Sequence, residues 1–196
     1  MGKVSLRSAK RSDGADLAIL DNIAGHGISA WFWQGAVNMG KAEDAYDWGR
    51  ERFMDEDAPF AWKNSVVAEV DGIIAGAANG YVMQPPEPDY EKNNPEQIIP
   101  VMELFSLVAG YWLVDSLAVY SKYRGEGIDA RLLDNCFERA RNAACNCISL
   151  VAEDSNMSAL KLYQSRGFVE KDQRPYIPFS ENSKTQNWLL FTAPLN

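Results

Sequence analysis

The stretch Tyr123-Arg124-Gly125-Glu126-Gly127-Ile128-Asp129-Ala130-Arg131-Leu132-Leu133 sets two glycines and an arginine between an apolar run, "YWLVDSLAVY" (111–120), and an amphipathic one. A glycine loop between strand and helix lets an anionic ligand approach the backbone. The first amides of the helix then point at that ligand, with the positive end of the dipole behind them. Arg124 adds a fixed positive charge. This describes a phosphate or pyrophosphate site, although a tight strand-to-helix turn would use the same glycines. Two nucleotide motifs are excluded by spacing: "RGEGID" lacks the third glycine of G-x-G-x-x-G, and the chain has no G-x-x-x-x-G-K-[ST].

Downstream of the loop, residues 128–144 read as a helix. Ile128, Leu132, Cys136, Ala140 and Ala143 share one stripe, with Arg131, Asp134, Glu138 and Arg141 largely off it. "CISLVAE" follows as a buried strand, so strand, helix and strand make a right-handed crossover with a parallel pair. "SNMSALKLYQSRGF" reads as a shorter helix closed by Gly167, and 168–173 and 187–192 as two further strands.

Upstream, "KVSLRSAK" is a first strand, with Ser12 and Asp13 as cap candidates for a helix carrying Leu17, Leu20, Ile23 and Ala24. Residues 30–54, with Trp31, Trp33, Val37, Ala45, Trp48 and Phe53, read as one or two helices broken near Gly40. "SVVAEVDGIIAGAANGYVM" is a hairpin about Asp71-Gly72. "QPPEPDYEKNNPEQ" is a surface loop, followed by a short helix over 98–108 with Pro100 in its first turn. This order gives a single α/β domain over 1–196.

Composition narrows the partners. A net charge of −8 argues against a general nucleic-acid binder, which needs clustered Lys and Arg. The acidic group Glu43, Asp44, Asp47, Glu51, Asp55, Glu56 and Asp57 reads first as a solvated helix face, with a field attracting a cationic amine as the other reading. No run has the ~20 apolar residues of a membrane span, and "MGKVSLRSAKRSDG" has no apolar signal core, so the expectation is a cytoplasmic protein. Cys136, Cys145 and Cys147 read as buried thiols, the latter two sharing one face of a strand; no metal site is expected. The single histidine, His26, reads as a loop or cap residue between glycines.

On two motifs the chain resembles the GNAT superfamily of acyl-CoA-dependent N-acyltransferases. Arg124, Gly125, Glu126, Gly127 and Ile128 match the loop pattern [QR]-x-x-G-x-[GA] of that family, with Asp129 departing from its last position. Asn156, Ala159, Tyr163, Gly167 and Phe168 meet N-x-x-A-x-x-x-Y-x-x-x-G-F, and the likeness runs from Val114 to Phe168. It implies a mixed central sheet flanked by helices, with a splayed strand pair forming an acyl-CoA cleft. Arg124, Gly125, Glu126, Gly127, Ile128, Asp129 and Ala130 would hold the pyrophosphate of acetyl-CoA. The backbone of Leu117, Ala118 and Val119 would pair with its pantetheine arm.

The resemblance also implies that Tyr163 protonates the departing thiolate and that Asn156 hydrogen-bonds the cofactor or its water. Asn156, Ala159 and Tyr163 fall at i, i+3 and i+7, one helix face, although a tyrosine beside Leu160 and Leu162 could equally be core. Asp115 is the candidate general base, since a carboxylate in an apolar strand needs a purpose or a partner; a carboxylate bonded to a neighbouring loop is the other reading. Glu103 and Tyr81 are alternates. The implied reaction is acetyl transfer to the primary amine of a small molecule or peptide, with a homodimer compatible. The alternative is a non-catalytic acyl-CoA-binding module. Acceptor choice is expected from the N-terminal helices, "QPPEPDYEKNNPEQ" and "DQRPYIPFSENSKTQ".

Overall fold

The computed structural model of the chain describes residues 2–180 and 183–195. Strands run in the order β1-β2-β3-β4-β5-β7-β6, a seven-stranded mixed sheet flanked by helices. The chain divides into two compact units, Met1–Tyr81 with Asp115–Cys136, and Val82–Val114 with Phe137–Asn196.

In the first unit β1 (Val4–Ser8) pairs antiparallel with β2 (Ser65–Val70), and β2 with β3 (Ile73–Val82). Asp71 and Gly72, at φ 52° and 81°, make the expected two-residue hairpin turn with both residues in the left-handed region. Helices α1 (Gly14–Ala24), α2 (Ile28–Asn38) and α3 (Ala45–Met54) follow β1, with the chain breaking between α2 and α3 around Gly40 as its sequence suggests. Leu17, Leu20, Trp33, Phe53, Val67, Ala77 and Ala118 form their common core. Asp13 does not cap α1 with its side chain. Its carboxylate accepts from the Lys10 amide at 2.7 Å, capping the short 3-10 turn that precedes the helix, and takes a salt bridge from Arg7, also at 2.7 Å. Arg7 reaches Glu69 as well, fastening β1 to β2.

The second unit contains α4 (Tyr90–Asn93), a short helix inside the expected proline-rich loop, and α5 (Ile99–Ser106) with its proline in the first turn. The strand β4 (Trp112–Val119) enters here and pairs in parallel with β5 (Cys147–Glu153) through Trp112, Leu113 and Val114. On its other side β5 pairs antiparallel with β7 (Asn187–Pro194) along its whole length, and β7 with β6 (Val169–Pro175). The helix α6 (Ile128–Asn142) precedes β5, and α7 (Met157–Ser165) follows it.

The stripe of α6 is buried at Ile128, Leu132, Cys136 and Ala140, but Ala143 is exposed because the helix has ended and Ala144 turns to φ 54°. That turn also places Cys145 ahead of β5, so Cys145 and Cys147 do not share a strand face; Cys136 is buried and the other two are half-buried. Of the stretch 172–186, expected as a loop, residues 172–175 belong to β6, and residues 181 and 182 lie outside the described residues. No helix among the described residues is long and apolar enough to cross a membrane.

Candidate active site

In the first unit β4 leads through a short 3-10 turn (Ser121–Tyr123) into the glycine loop and then α6. Gly125 and Gly127 lie at φ 80° and 72°, a conformation costing most other residues about 1 kcal/mol or more, so the loop chemistry is what demands glycine here. A Cβ at either position would meet nothing within 4 Å, so the space above both is open. Arg124 is exposed, and its Nε donates to the Val119 carbonyl at 3.1 Å, bracing the loop against the end of β4. Ile128 is buried and anchors the helix start, whereas Glu126 and Ala130 are half-buried. Asp129 is exposed, and its Oδ1 accepts from the Ala130 amide at 2.9 Å. An open loop with amide donors at a helix start fits a phosphate group.

The end of β4 is held tightly. Ala118 and Val119 are buried, Leu117 is half-buried, and the Tyr120 amide donates to Ala75 of β3 at 2.8 Å. Gly76 is the residue that permits this approach, because a Cβ there would sit 2.7 Å from the Ala118 carbonyl oxygen. The ladder to β5 stops at Val114, so residues 115–119 do not continue it.

At that point of β4 the structure gathers side chains from four elements. Asp115 comes from β4, Tyr81 from β3, Asp21 from the last turn of α1, and Ser29 from the start of α2. Tyr81 hydrogen-bonds Asp115, and the hydroxyls of Ser29 and Ser116 hydrogen-bond Asp21. All five are half-buried, yet loss of hydration is the largest influence on Asp21, Tyr81 and Asp115 alike. It pushes the Asp115 carboxyl up to about 7, with the negative charge of Asp21 adding to the rise and the Tyr81 hydrogen bond opposing it. Burial also raises Asp21, against the two serine hydroxyls that favour its charged form. The Tyr81 phenol is raised by burial and by Asp115, so it serves as a donor to the carboxylate rather than as a base.

Asp21 and its serines were not singled out from sequence. A signal existed: Asp21 falls on the Leu17, Leu20, Ala24 stripe of α1, in a helix turn whose dipole disfavours a carboxylate. Glu103, the other alternate base, belongs to the second unit and is engaged by Arg174 Nε at 2.6 Å.

The second unit holds the other motif. Asn156 is the N-cap of α7, its Oδ1 accepting from the Ala159 amide at 3.3 Å and from Ser158 Oγ at 3.2 Å. It therefore precedes the helix rather than lining a helix face with Tyr163. The half-buried Tyr163 ring packs between Phe168 (5.9 Å) and Phe191 (6.4 Å), and its carbonyl accepts the Phe168 amide where Gly167, at φ 82°, closes the helix. The motif glycine and phenylalanine thus fix the turn that presents the tyrosine.

A mixed sheet with a glycine loop opening the helix after its fourth strand defines an α/β protein with a loop fitted to a phosphate group, and the comparisons give its family. The family model described as "Acetyltransferase (GNAT) family" matches residues 26–168, and the chain belongs to that family. It is 38% identical over 94 residues to N-alpha-acetyltransferase 30 of Saccharomyces cerevisiae, a match covering 42% of this chain and 53% of that protein. Among solved structures, yncA from Salmonella typhimurium, with its cofactor acetyl-CoA, superposes with a TM-score of 0.65 at 17% identity, covering 98% of this chain and 94% of the other. An N-acetyltransferase from Staphylococcus aureus Mu50 gives 0.64 at 21% identity, covering 96% and 100%. At these identities the structural likeness is one of fold.

Proposed function

We propose that the protein transfers the acetyl group of acetyl-CoA to a primary amine by direct attack on the thioester. The observation that carries this reading is Asp115, a carboxyl raised to about 7 in the strand that runs into the glycine loop. A general base works best when its pKa lies near the working pH, and an ordinary carboxylate would be too weak a base to deprotonate an ammonium near neutrality.

In this mechanism Asp115 takes a proton from the incoming amine, whose nitrogen lone pair forms the C–N bond as the C–S bond breaks. Tyr163 returns a proton to the departing thiolate, so CoA leaves as the free thiol. The amides of Gly125, Gly127 and Ala130 hold the pyrophosphate, with Arg124 beside them, and the backbone of Leu117 and Val119 takes the pantetheine arm. Asn156 acts on this side chiefly by capping α7 and so holding Tyr163 in place. The acceptor we favour is a peptide α-amine, on the likeness to the yeast N-alpha-acetyltransferase. A cytoplasmic location accords with the free thiols Cys136, Cys145 and Cys147.

The experiment is CoA-thiol release with acetyl-CoA and three acceptor sets: peptides with free α-amines, N-blocked peptides carrying lysine, and small amines. Turnover is expected with the first set, and Tyr163→Phe should cut it by roughly 10²-fold with little change in acetyl-CoA affinity. Folded protein that binds acetyl-CoA but acetylates none of the three sets would instead support an acyl-CoA-binding module.

A further inference from the structure

Two carboxylates from distant parts of the chain meet at one point of the first unit, and only one is needed to deprotonate an amine. Asp21 reaches the site from the last turn of α1, where its own carbonyl accepts the Gly25 amide at 3.0 Å and where no basic residue offsets the helix dipole. A carboxylate there is disfavoured both by burial and by the dipole. Two hydroxyls nevertheless converge on it, Ser29 from α2 and Ser116 from β4, and hydroxyl donors favour the ionised form. The helix is also fastened just past the end of β4, by Tyr120 Oη donating to Asp16 at 2.6 Å. This pair of ties fixes α1 against the strand that carries Asp115.

We infer that Asp21 is a positioning residue for Asp115: the carboxylate delivered by α1, bonded by the Ser29 and Ser116 hydroxyls, tunes the basicity of Asp115 through its charge. The inference rests on the reading of Asp115 as the general base. The charged and titratable groups facing Asp115 are Asp21 from α1 and Tyr81 from β3; α2 contributes the neutral Ser29 and β4 the neutral Ser116. Tyr81 works in the opposite sense to Asp21, because its O–H stabilises the Asp115 carboxylate. Asp21 thus adds repulsion to the burial that already holds a proton on Asp115. With Asp115 raised to about 7, the pair keeps at this point a base strong enough to accept a proton from an incoming ammonium.

The test is carboxyl-carbon NMR titration of the full chain between pH 3 and 9, which reads the carboxyls without turnover. Asp115→Asn assigns the resonance. In the unmutated chain the Asp115 signal is expected to titrate near 7 and to show a smaller second inflection where Asp21 titrates, as coupled groups do. In Asp21→Asn the midpoint of Asp115 should fall by about one unit or more, and Asp21→Glu should restore part of it. A Ser29→Ala substitution, removing one hydroxyl from Asp21, should move the smaller inflection upward, which gives a second reading if the Asn variant does not fold. An Asp115 midpoint unchanged in Asp21→Asn, or a single independent titration in the unmutated chain, overturns the inference. The base reading is judged separately by turnover: if Asp115→Asn keeps full activity, Asp115 is not the base even where the two carboxyls are shown to couple.

Discussion

The glycine loop that follows β4 and the carboxyl centre on β4 both belong to the first unit, yet they are built in opposite ways. In the loop the working groups are backbone amides, and the residues that matter are those without side chains, Gly125 and Gly127, whose φ of 80° and 72° dictates their identity. In the centre the working groups are side chains, and what matters is the arrival of Asp21, Ser29, Tyr81 and Asp115 from α1, α2, β3 and β4 at one place. Backbone chemistry is encoded locally, in a few adjacent letters. Side-chain electrostatics is encoded by how the elements pack, so the first should be damaged by adding a methyl group and the second by removing a charge.

The largest effect is expected in the centre. Asp115→Asn should lower turnover by roughly 10²-fold or more, the usual contribution of a general base. The same substitution should stabilise the protein, and the sign can be worked out. The folded-state carboxyl is raised from an ordinary value to about 7, so the native state holds its proton more tightly than the unfolded chain. That contribution is fully present below about pH 4 and is lost as the pH rises through about 7. At pH 8 the ionised Asp115 is a net cost which asparagine removes, so Tm should rise by roughly 2–4 °C for each kcal/mol recovered, with the gain vanishing by pH 4. Thermal scans of both proteins at the two pH values check this. A gain equal at both would mean that packing, not charge, set the difference.

The loop should respond to the opposite kind of change. Gly127→Ala introduces no clash, since nothing lies within 4 Å, but it puts a Cβ on a residue at φ 72°. The cost is about 1 kcal/mol or more, and the backbone relieves it by turning its amides away from the space they face. Acetyl-CoA affinity by calorimetry should fall about tenfold, for a change that removes no contact. A side-chain substitution at the neighbouring half-buried Glu126 should leave affinity near that of the unmutated chain; if it weakened binding as much as Gly127→Ala, the loop would be acting through side chains and the contrast would fail.

This contrast explains what could be read from the sequence. The features in which a glycine takes a positive φ were legible: the Asp71-Gly72 turn, the two loop glycines, and Gly167 closing α7 beside Tyr163. So were the helices, because Leu17, Leu20 and Ile128, Leu132, Cys136 recur at helical spacing. Asp115 stood out as a carboxylate in an apolar strand. Its partner did not, because Asp21 meets it only after α1 has folded over β4, and no spacing along the chain records that meeting. Asn156 was visible as a motif residue, but its use of Oδ1 as a helix cap depends on where α7 starts. Cys145 was misplaced by one turn of chain, since the φ of 54° at Ala144 sets the entry to β5 and alanine gives no warning of it.

The smallest expected effect lies at Asp129, where the two kinds of region overlap: a charged side chain stands inside a backbone site. Its Oδ1 accepts from the Ala130 amide at 2.9 Å, so the carboxylate satisfies one of the first-turn donors that a pyrophosphate would need. It also suits the positive end of the α6 dipole when no anionic ligand is present. Binding acetyl-CoA then requires that amide to exchange partners and places the phosphates near a like charge. With unit charges ~6 Å apart and an effective dielectric of ~40, repulsion is on the order of 1 kcal/mol, about fivefold in affinity. Asp129→Gly should therefore tighten acetyl-CoA binding several-fold at low salt, with the gain shrinking as added salt screens the pair. Asp129→Asn separates the two contributions, because it keeps an acceptor for the Ala130 amide and removes the charge. If repulsion dominates, Asn should match Gly at low salt and both gains should fade together; if competition for the amide dominates, Asn should bind like the unmutated chain at every salt concentration. Weaker binding by both variants would mean that the carboxylate itself helps to hold the ligand, and the loop would then no longer be a site that works by its backbone alone.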